Sequence, residues 1–190
     1  MNNGVKDHNS SSANVLSNKC DTSYFTSIES ANKYPDCVLE LSLREKGLTK
    51  FPLDVLKYSK LRVLDLSFNK IDSIPKEICS LKQLQVLILS YGALSNIDSS
   101  IGGLKSLENL ALLYNNISSV PDEICLLNKL RVLNLSGNRI DSLPKCICKM
   151  QHLRVLGLSY FEGEKHVDSL QYSLLRSCLP NTAIILHKID

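Results

Sequence analysis

Four histidines and seven cysteines are the side chains of this 190-residue chain best equipped for chemistry. Their tightest grouping is Cys146-x-Cys148-x3-His152, two thiols and an imidazole. Thiolate and imidazole together make zinc ligands, but a closed zinc site takes four ligands and only three are at hand. Cys146 and Cys148 also flank Ile147, a member of an apolar column set out below, so both are expected to pack against neighbours. His8, His166 and His187 lie in no nucleophile elbow, metalloprotease helix or phosphate loop. Asp65, Asp72, Glu108 and Asp141 are scattered singly and read as solvated charges. No two carboxylates face one another so that one could donate and the other accept a proton. The expectation is a protein without catalytic residues, metal or cofactor.

The elements that carry these residues repeat. Leucine returns every 23 residues, at Leu61, Leu84, Leu107, Leu130 and Leu153, with a weaker start at Val38. Counted from that residue, position 4 is Leu41, Leu64, Leu87, Leu110, Leu133 and Leu156. Position 6 is Leu43, Leu66, Leu89, Leu112, Leu135 and Leu158. Further apolar columns run through Ile71 and Ile117 at position 11, Ile74 and Val120 at position 14, and Val55, Ile78, Ile101, Ile124, Ile147 and Leu170 at position 18. Positions 3 to 7 alternate, the mark of a short strand with one buried face. Proline at position 15 (Pro52, Pro75, Pro121, Pro144) suits the first turn of an outer segment. Asparagine at position 9 (Asn69, Asn115, Asn138) suits a turn whose side-chain amide ties adjacent coils. One unit cannot bury its own leucines, whereas stacked units bury them for each other.

These units, with LRVLDLSFNKI at 61–71 and SIPKEICSL at 73–81, resemble the leucine-rich repeat family. Within it they are similar to the 23-residue class of plant intracellular Ras-group-related proteins, of the animal Ras–Raf scaffold and of short bacterial proteins. The resemblance spans 38–160, six repeats with the sixth incomplete. It implies an α/β leucine-rich-repeat solenoid, a right-handed horseshoe arc with a parallel sheet on its concave face and a cap at each end.

Residues 1–23 are rich in Asn and Ser, too polar for a signal peptide, and read as a disordered tail. Residues 24–37 read as an N-terminal cap, with Thr26 and Glu29 as a capping box opening a helix that ends near Lys33. Residues 161–190 read as a C-terminal cap. It comprises the loop FEGEKH, a helix started by Asp168 or Ser169 with Leu170, Leu174, Leu175 and Cys178 on one side, and an edge strand TAIIL at 182–186 after Pro180. This ending is similar to the close of short bacterial repeat proteins and implies a complete array.

An apolar content of 44% and a net charge of +3 raise no expectation of nucleic acid or an acidic membrane. No apolar run is long enough to span a bilayer. Cys79, Cys125 and Cys148 share position 19 with Leu56 and Gly102, which reads as a packing site for a small hydrophobe. Seven reduced thiols in a cytoplasmic monomer is the leading reading. A secreted chain with a Cys125–Cys148 bridge is the alternative.

With positions 4 and 6 in the core, positions 3, 5 and 7 are expected on the concave face, with position 8 at the strand end. Charges gather on the first two coils, at Glu40, Arg44, Glu45 and Asp65. Beyond them the face is neutral, and Phe68, Tyr91 and Tyr114 form a ladder at the roughly 4.8 Å spacing of parallel strands. The expected partner-binding set is Val63, Asp65, Phe68, Val86, Ile88, Tyr91, Asn109, Ala111, Leu113, Tyr114, Val132, Asn134, Val155 and Tyr160. Uncharged centres with aromatic anchors mark protein and peptide interfaces. Lys60, Arg62, Lys82, Lys105, Lys129, Arg131 and Arg154 rim the loops entering the strands and read as a solvated edge, interrupted by Glu108. The third repeat departs from the others with Gly92, Asp98 and Gly102-Gly103, by drift or as a soft spot. The resulting expectation is a non-catalytic adaptor or scaffold binding a protein partner in intracellular signalling. The alternative is a secreted or surface bacterial protein binding a host or matrix partner.

Overall fold

A computed structural model describes residue 20 and residues 22–161, 166–186 and 188–189. The tail expected over 1–23 therefore falls, apart from Cys20, Thr22 and Ser23, outside the described residues. Ten strands are present among them: β1 Tyr24–Phe25, β2 Glu40–Ser42, β3 Val63–Asp65, β4 Val86–Ile88, β5 Asn109–Ala111, β6 Val132–Asn134, β7 Val155–Gly157, β8 Tyr160–Phe161, β9 Ala183–Ile185 and β10 Lys188–Ile189. Eight of them form one parallel sheet in the order β1-β2-β3-β4-β5-β6-β7-β9, and β8 pairs separately with β10. The register repeats every 23 residues, so Leu64 faces Leu87, Leu87 faces Leu110 and Leu110 faces Leu133. Those leucines have no exposed surface, which is how a solenoid hides a face that one coil cannot cover.

Regular strand covers only positions 3 to 5. Hydrogen bonding continues beyond it, with the Leu66 N–H donating to the Ile88 carbonyl (2.8 Å) and the Phe68 N–H to the Ser90 carbonyl (2.9 Å). The ladder ends because position 8 turns into the left-handed region. Asparagine at position 9 then reaches inward. Asn69 Nδ2 donates to the carbonyls of Leu43 and Leu66 (both 2.8 Å), and its Oδ1 accepts from the Leu48 N–H (2.9 Å). Asn115 and Asn138 repeat this one coil apart from each other, so the buried turn backbone is satisfied by side chains.

The outer segments are single turns of 3-10 helix, at Leu53–Lys57, Lys76–Ser80, Ser99–Gly103, Asp122–Leu126 and Lys145–Lys149. Proline occupies the N-cap of four of them rather than the first turn, with φ between −74° and −61°. Asp98 takes the same backbone angles in the third repeat (φ −68°) and adds a cap, its carboxylate accepting from the Ser100 N–H at 2.8 Å. The Ser100 hydroxyl and amide hold the Asp98 carboxyl below the ordinary carboxylate range. The two glycines of that repeat are packing sites. A Cβ on Gly102 would lie 2.7 Å from the Glu123 carbonyl oxygen, and one on Gly103 would lie 2.5 Å from Cys79 Cβ. Their absence lets three outer segments approach closely.

At the N-terminal end, α1 spans Ile28–Asn32 and is capped by Ser27, not Thr26; the Ser27 hydroxyl accepts from the Ser30 N–H at 3.1 Å. Ahead of it, β1 adds an edge strand that the polar composition of residues 22–27 did not announce. The cap is fastened to the first repeat by Tyr58, fully buried, whose hydroxyl donates to Asn32 Oδ1 at 2.8 Å. Burial pushes the Tyr58 phenol above its ordinary value of 10.0, and the Asp54 carboxylate adds to the rise. A phenol that holds its proton more tightly when folded contributes stability below the unfolded value and loses it as pH climbs through the folded one. Tyr58→Phe is expected to cost about 1 kcal/mol at neutral pH. It is also expected to flatten part of the stability loss above pH 10, as read by urea denaturation across pH 8–11. Identical pH profiles for the two proteins would show that the phenol is not linked to folding.

At the C-terminal end, α2 spans Ser169–Cys178, with Asp168 as its cap accepting from the Gln171 N–H at 2.7 Å. Only Leu175 of its leucines is buried; Leu170 is 77% exposed and Leu174 60% exposed. Leu170 therefore leaves the position 18 column, because an α-helix here replaces the tight turn of the other coils and presents a different face. Part of the expected loop, residues 162–165, lies outside the described residues. Tyr160 and Phe161 precede it as β8.

The cysteines correct the expectation of free thiols. Cys20 bridges Cys37, Cys125 bridges Cys146, and Cys148 bridges Cys178 at Cα separations of 5.3, 6.1 and 5.2 Å; Cys79 is free. The alternative Cys125–Cys148 bridge is not formed. On the outer side, position 19 of one coil meets position 17 of the next, 21 residues on. The same offset brings Gly102 against Glu123. Cys125 thus faces Cys146, which frees Cys148 to hold the cap helix. The Cys146 and Cys148 thiols of the suggested metal pattern are consumed in this way.

Candidate functional site

The sheet face away from the leucine core carries the expected site. Val63, Val86, Val132 and Val155 at position 3 are half-buried, as are Asp65, Ile88, Ala111 and Asn134 at position 5. Position 7 differs from the expectation: Ser67, Ser90, Ser136 and Ser159 are buried, and only Leu113 and Arg44 in that column reach solvent appreciably. The chain is already bending into the left-handed turn, so the small hydroxyls tuck under neighbouring coils. The Ser159 N–H, for example, donates to Ser136 Oγ at 3.2 Å.

The aromatic residues of position 8 stack. Phe68 and Tyr91 have centroids 4.2 Å apart at 16°, and Tyr91 and Tyr114 are 4.6 Å apart at 23°. The Arg44 guanidinium carbon caps the row, 4.0 Å from the Phe68 centroid, and Arg44 Nε pairs with Glu45 Oε1 at 3.1 Å. Phe68, Tyr91 and Tyr114 all hold positive φ, between 52° and 57°. A residue with a side chain costs roughly 1–2 kcal/mol there, and ring stacking offsets about 0.5–1.5 kcal/mol. Phe68 and Tyr91 remain exposed although their faces are spent on neighbouring rings, and Tyr114 is half-buried. Gly137 takes the same turn at φ 69°, and a Cβ there would lie 2.6 Å from Tyr114 Cδ1, so the missing side chain gives the last ring its bed.

Tyr160 does not continue the row. It stacks on His166 instead, 3.8 Å away at 6°. Asp65 turns inward, its Oδ1 accepting from the Ser67 N–H (2.8 Å) and hydroxyl (2.6 Å), so its charge is partly spent. Asn134 does the same for the Ser136 N–H (3.1 Å) and lies against Gly157, where there is no room for a side chain. Asn109 differs: its Oδ1 has no hydrogen-bond partner among the described residues, which leaves an acceptor in the middle of the apolar stretch. The structure thus gathers Val86, Ile88, Ala111 and Leu113 beside the stacked rings, and sets Tyr160 apart at the C-terminal end. Arg44 and His166 were missed as ring partners. Arg44 was legible from its column, next to the aromatic one; His166 was not, because the irregular cap brings it back.

Among the described residues no cluster of His, Cys, Asp or Glu could hold a metal ion, and no helix is long and apolar enough to cross a membrane.

No curated protein matches the chain. Among solved structures it is similar to a leucine-rich-repeat protein of Leptospira interrogans, at 30% identity and a TM-score of 0.67, over 78% of this chain and 37% of that one. It is also similar to the BIR3–SERK2 complex from Arabidopsis thaliana, at 34% identity and a TM-score of 0.53, over 57% of this chain and 61% of that one. A plant peptide hormone receptor, RGFR1 in complex with RGF2, shares the fold at 24% identity and a TM-score of 0.60, over 85% of this chain and 30% of that one. The chain spans little more than a third of the Leptospira protein. Domains of this architecture are in general protein-interaction modules. The leucine-rich-repeat model matches at residues 39–94, 59–117 and 105–160, and the chain belongs to the leucine-rich repeat family.

Proposed function

We propose that the chain is a non-catalytic module that captures a protein or peptide on its open sheet face, centred on Phe68, Tyr91 and Tyr114. The observation that carries this reading is the row of stacked rings beside the uncharged surface of Val86, Ile88, Ala111 and Leu113. Rigid aromatic anchors at the edge of a neutral, half-buried surface combine large contact area with little entropy to lose on binding. The Arabidopsis relative, itself a protein–protein complex, supports the same use. Of the two compartments considered, we favour an oxidising exterior over the cytoplasm. Three sulfur pairs in bonding geometry support it, since thiols stay reduced in most cytosols.

Affinity capture from culture supernatant and surface extracts, with mass spectrometry, identifies the partner; Tyr91→Ala with Tyr114→Ala then tests the face. Alanine keeps the left-handed strain and forfeits two ring stacks, about 1–3 kcal/mol together, so the thermal midpoint is expected to fall by several degrees with the fold retained. Affinity for the identified partner is expected to fall about 100-fold or more, each anchor being worth roughly 2 kcal/mol. Undiminished binding by the folded variant would move the interface off this face.

A further inference from the structure

A second feature lies at the opposite end of the strands from the rings. Lys129, Arg131, His152, Arg154 and Asn128 surround a hollow of about 500 Å³, with Glu108 on one wall. The Arg154 N–H donates to the Arg131 carbonyl (2.7 Å) and the Arg131 N–H to the Glu108 carbonyl (2.8 Å), so these three residues occupy one column on consecutive coils. Arg131 Nε stands 3.9 Å from Glu108 Oε2, a loose and exposed pair that leaves most of the guanidinium free. Lys129, Arg131 and Arg154 against Glu108 leave an excess of two positive charges, before any on His152. The entire chain has a net charge of only +3. What sets this place apart is guanidinium on two adjacent coils: on the preceding coils the same column reads Arg62, Gln85 and Glu108, and the rim's remaining charges, Lys60, Lys82 and Lys105, are lysines. A linear polyanion would need the row that Gln85 and Glu108 break. A compact group of high charge needs the cluster.

We propose that this hollow binds a phosphate monoester. Such a group carries about −1.5 to −2 charges at neutral pH, which matches the local excess. Its oxygens suit the planar fork of two guanidiniums on neighbouring coils, with lysine as an added point charge. A carboxylate or sulfate ester brings a single charge and uses half of what the site offers. The site is independent of the open-face reading, being on a different surface.

The test is an NMR titration of the ¹⁵N-labelled full chain at constant ionic strength with methyl phosphate, inorganic phosphate and methyl sulfate in turn. Methyl phosphate is expected to give saturable shifts confined to residues 128–131 and 151–154. Arg131→Gln with Arg154→Gln is expected to weaken it about tenfold or more, whereas Lys60→Gln with Lys82→Gln, on the same rim, leaves it unchanged. Both pairs lie at exposed positions, and unchanged spectra elsewhere confirm the fold. Tighter binding of methyl phosphate than of inorganic phosphate assigns the group to an ester on a larger molecule. The reverse order assigns the hollow to the free anion and would overturn the ester. Equal binding of methyl sulfate, or non-saturating shifts along the whole rim, would overturn it. A failure of partner capture by the tyrosine variant leaves this result untouched.

Discussion

Removal of the Cys148–Cys178 bridge, by replacing both residues with serine, is expected to lower stability by about 3–4 kcal/mol, from the closure entropy of a 30-residue loop. For a chain of this size that corresponds to a midpoint roughly 10 °C lower. The loss should be local before it is global. In a stack each coil is held only by its neighbours, and an end coil has one. Helix α2 buries Leu175 but leaves Leu170 and Leu174 in water, so apolar burial alone holds it weakly and the bridge supplies the difference. Hydrogen exchange should therefore accelerate first in α2 and β9 in the serine variant, while β3 to β5 keep wild-type protection. Thiol titration of the unfolded, unreduced native chain gives the companion measurement. One reactive thiol, Cys79, is expected. Seven would mean that none of the bridges forms, and would return the chain to the cytoplasmic reading.

That outcome turns on what a linear reading of residues can hold. The leucine columns were legible because 23-residue periodicity maps directly onto sheet register: Leu64, Leu87 and Leu110 share a column in both. The rings of Phe68, Tyr91 and Tyr114 were legible for the same reason, being one column at strand spacing. The Cys125–Cys146 pair was not, because at that place the outer segments meet with an offset of 21 residues rather than 23, and the other two pairs tie the ends, where no repeat is copied. Cys125 and Cys148 look matched in a 23-residue alignment, yet Cys125 lies against Cys146. The third repeat misled in a similar way. Gly102 and Gly103 read as drift or as a soft spot, whereas the contacts of Gly102 with Glu123 and of Gly103 with Cys79 are too close for a side chain. The two ends resisted for a different cause. A capping coil has no next coil to copy, so Tyr160 could leave the aromatic row for His166 without violating any periodic rule.

Leu110→Ala is expected to cost about 2–5 kcal/mol, with the upper half of that range favoured by its position. Leu110 has no exposed surface and stands between Leu87 and Leu133 in register. Truncation leaves a cavity whose size depends on how far the walls can close in. Here they are held. The strands on either side are pinned to one another, with the Asn109 N–H donating to the Gln85 carbonyl and the Val132 N–H to the Glu108 carbonyl, both at 3.0 Å. Below the sheet the Asn115 amide fixes the turn to the carbonyls of Leu89 and Leu112. A wall that cannot move keeps the cavity open, and each lost contact goes unreplaced. The central coil also has neighbours on both sides, so the damage weakens two interfaces at once. Leu174→Ala is the control: at 60% exposure its side chain is largely in water already, and a change within about 0.5 kcal/mol is expected. Urea denaturation of both variants, with an unchanged slope for the control, measures the contrast. If Leu110→Ala cost less than about 1 kcal/mol, adjacent coils would have to slide into the space. The stacked columns would then be a soft filling, not the rigid frame that holds the Phe68, Tyr91 and Tyr114 rings in line.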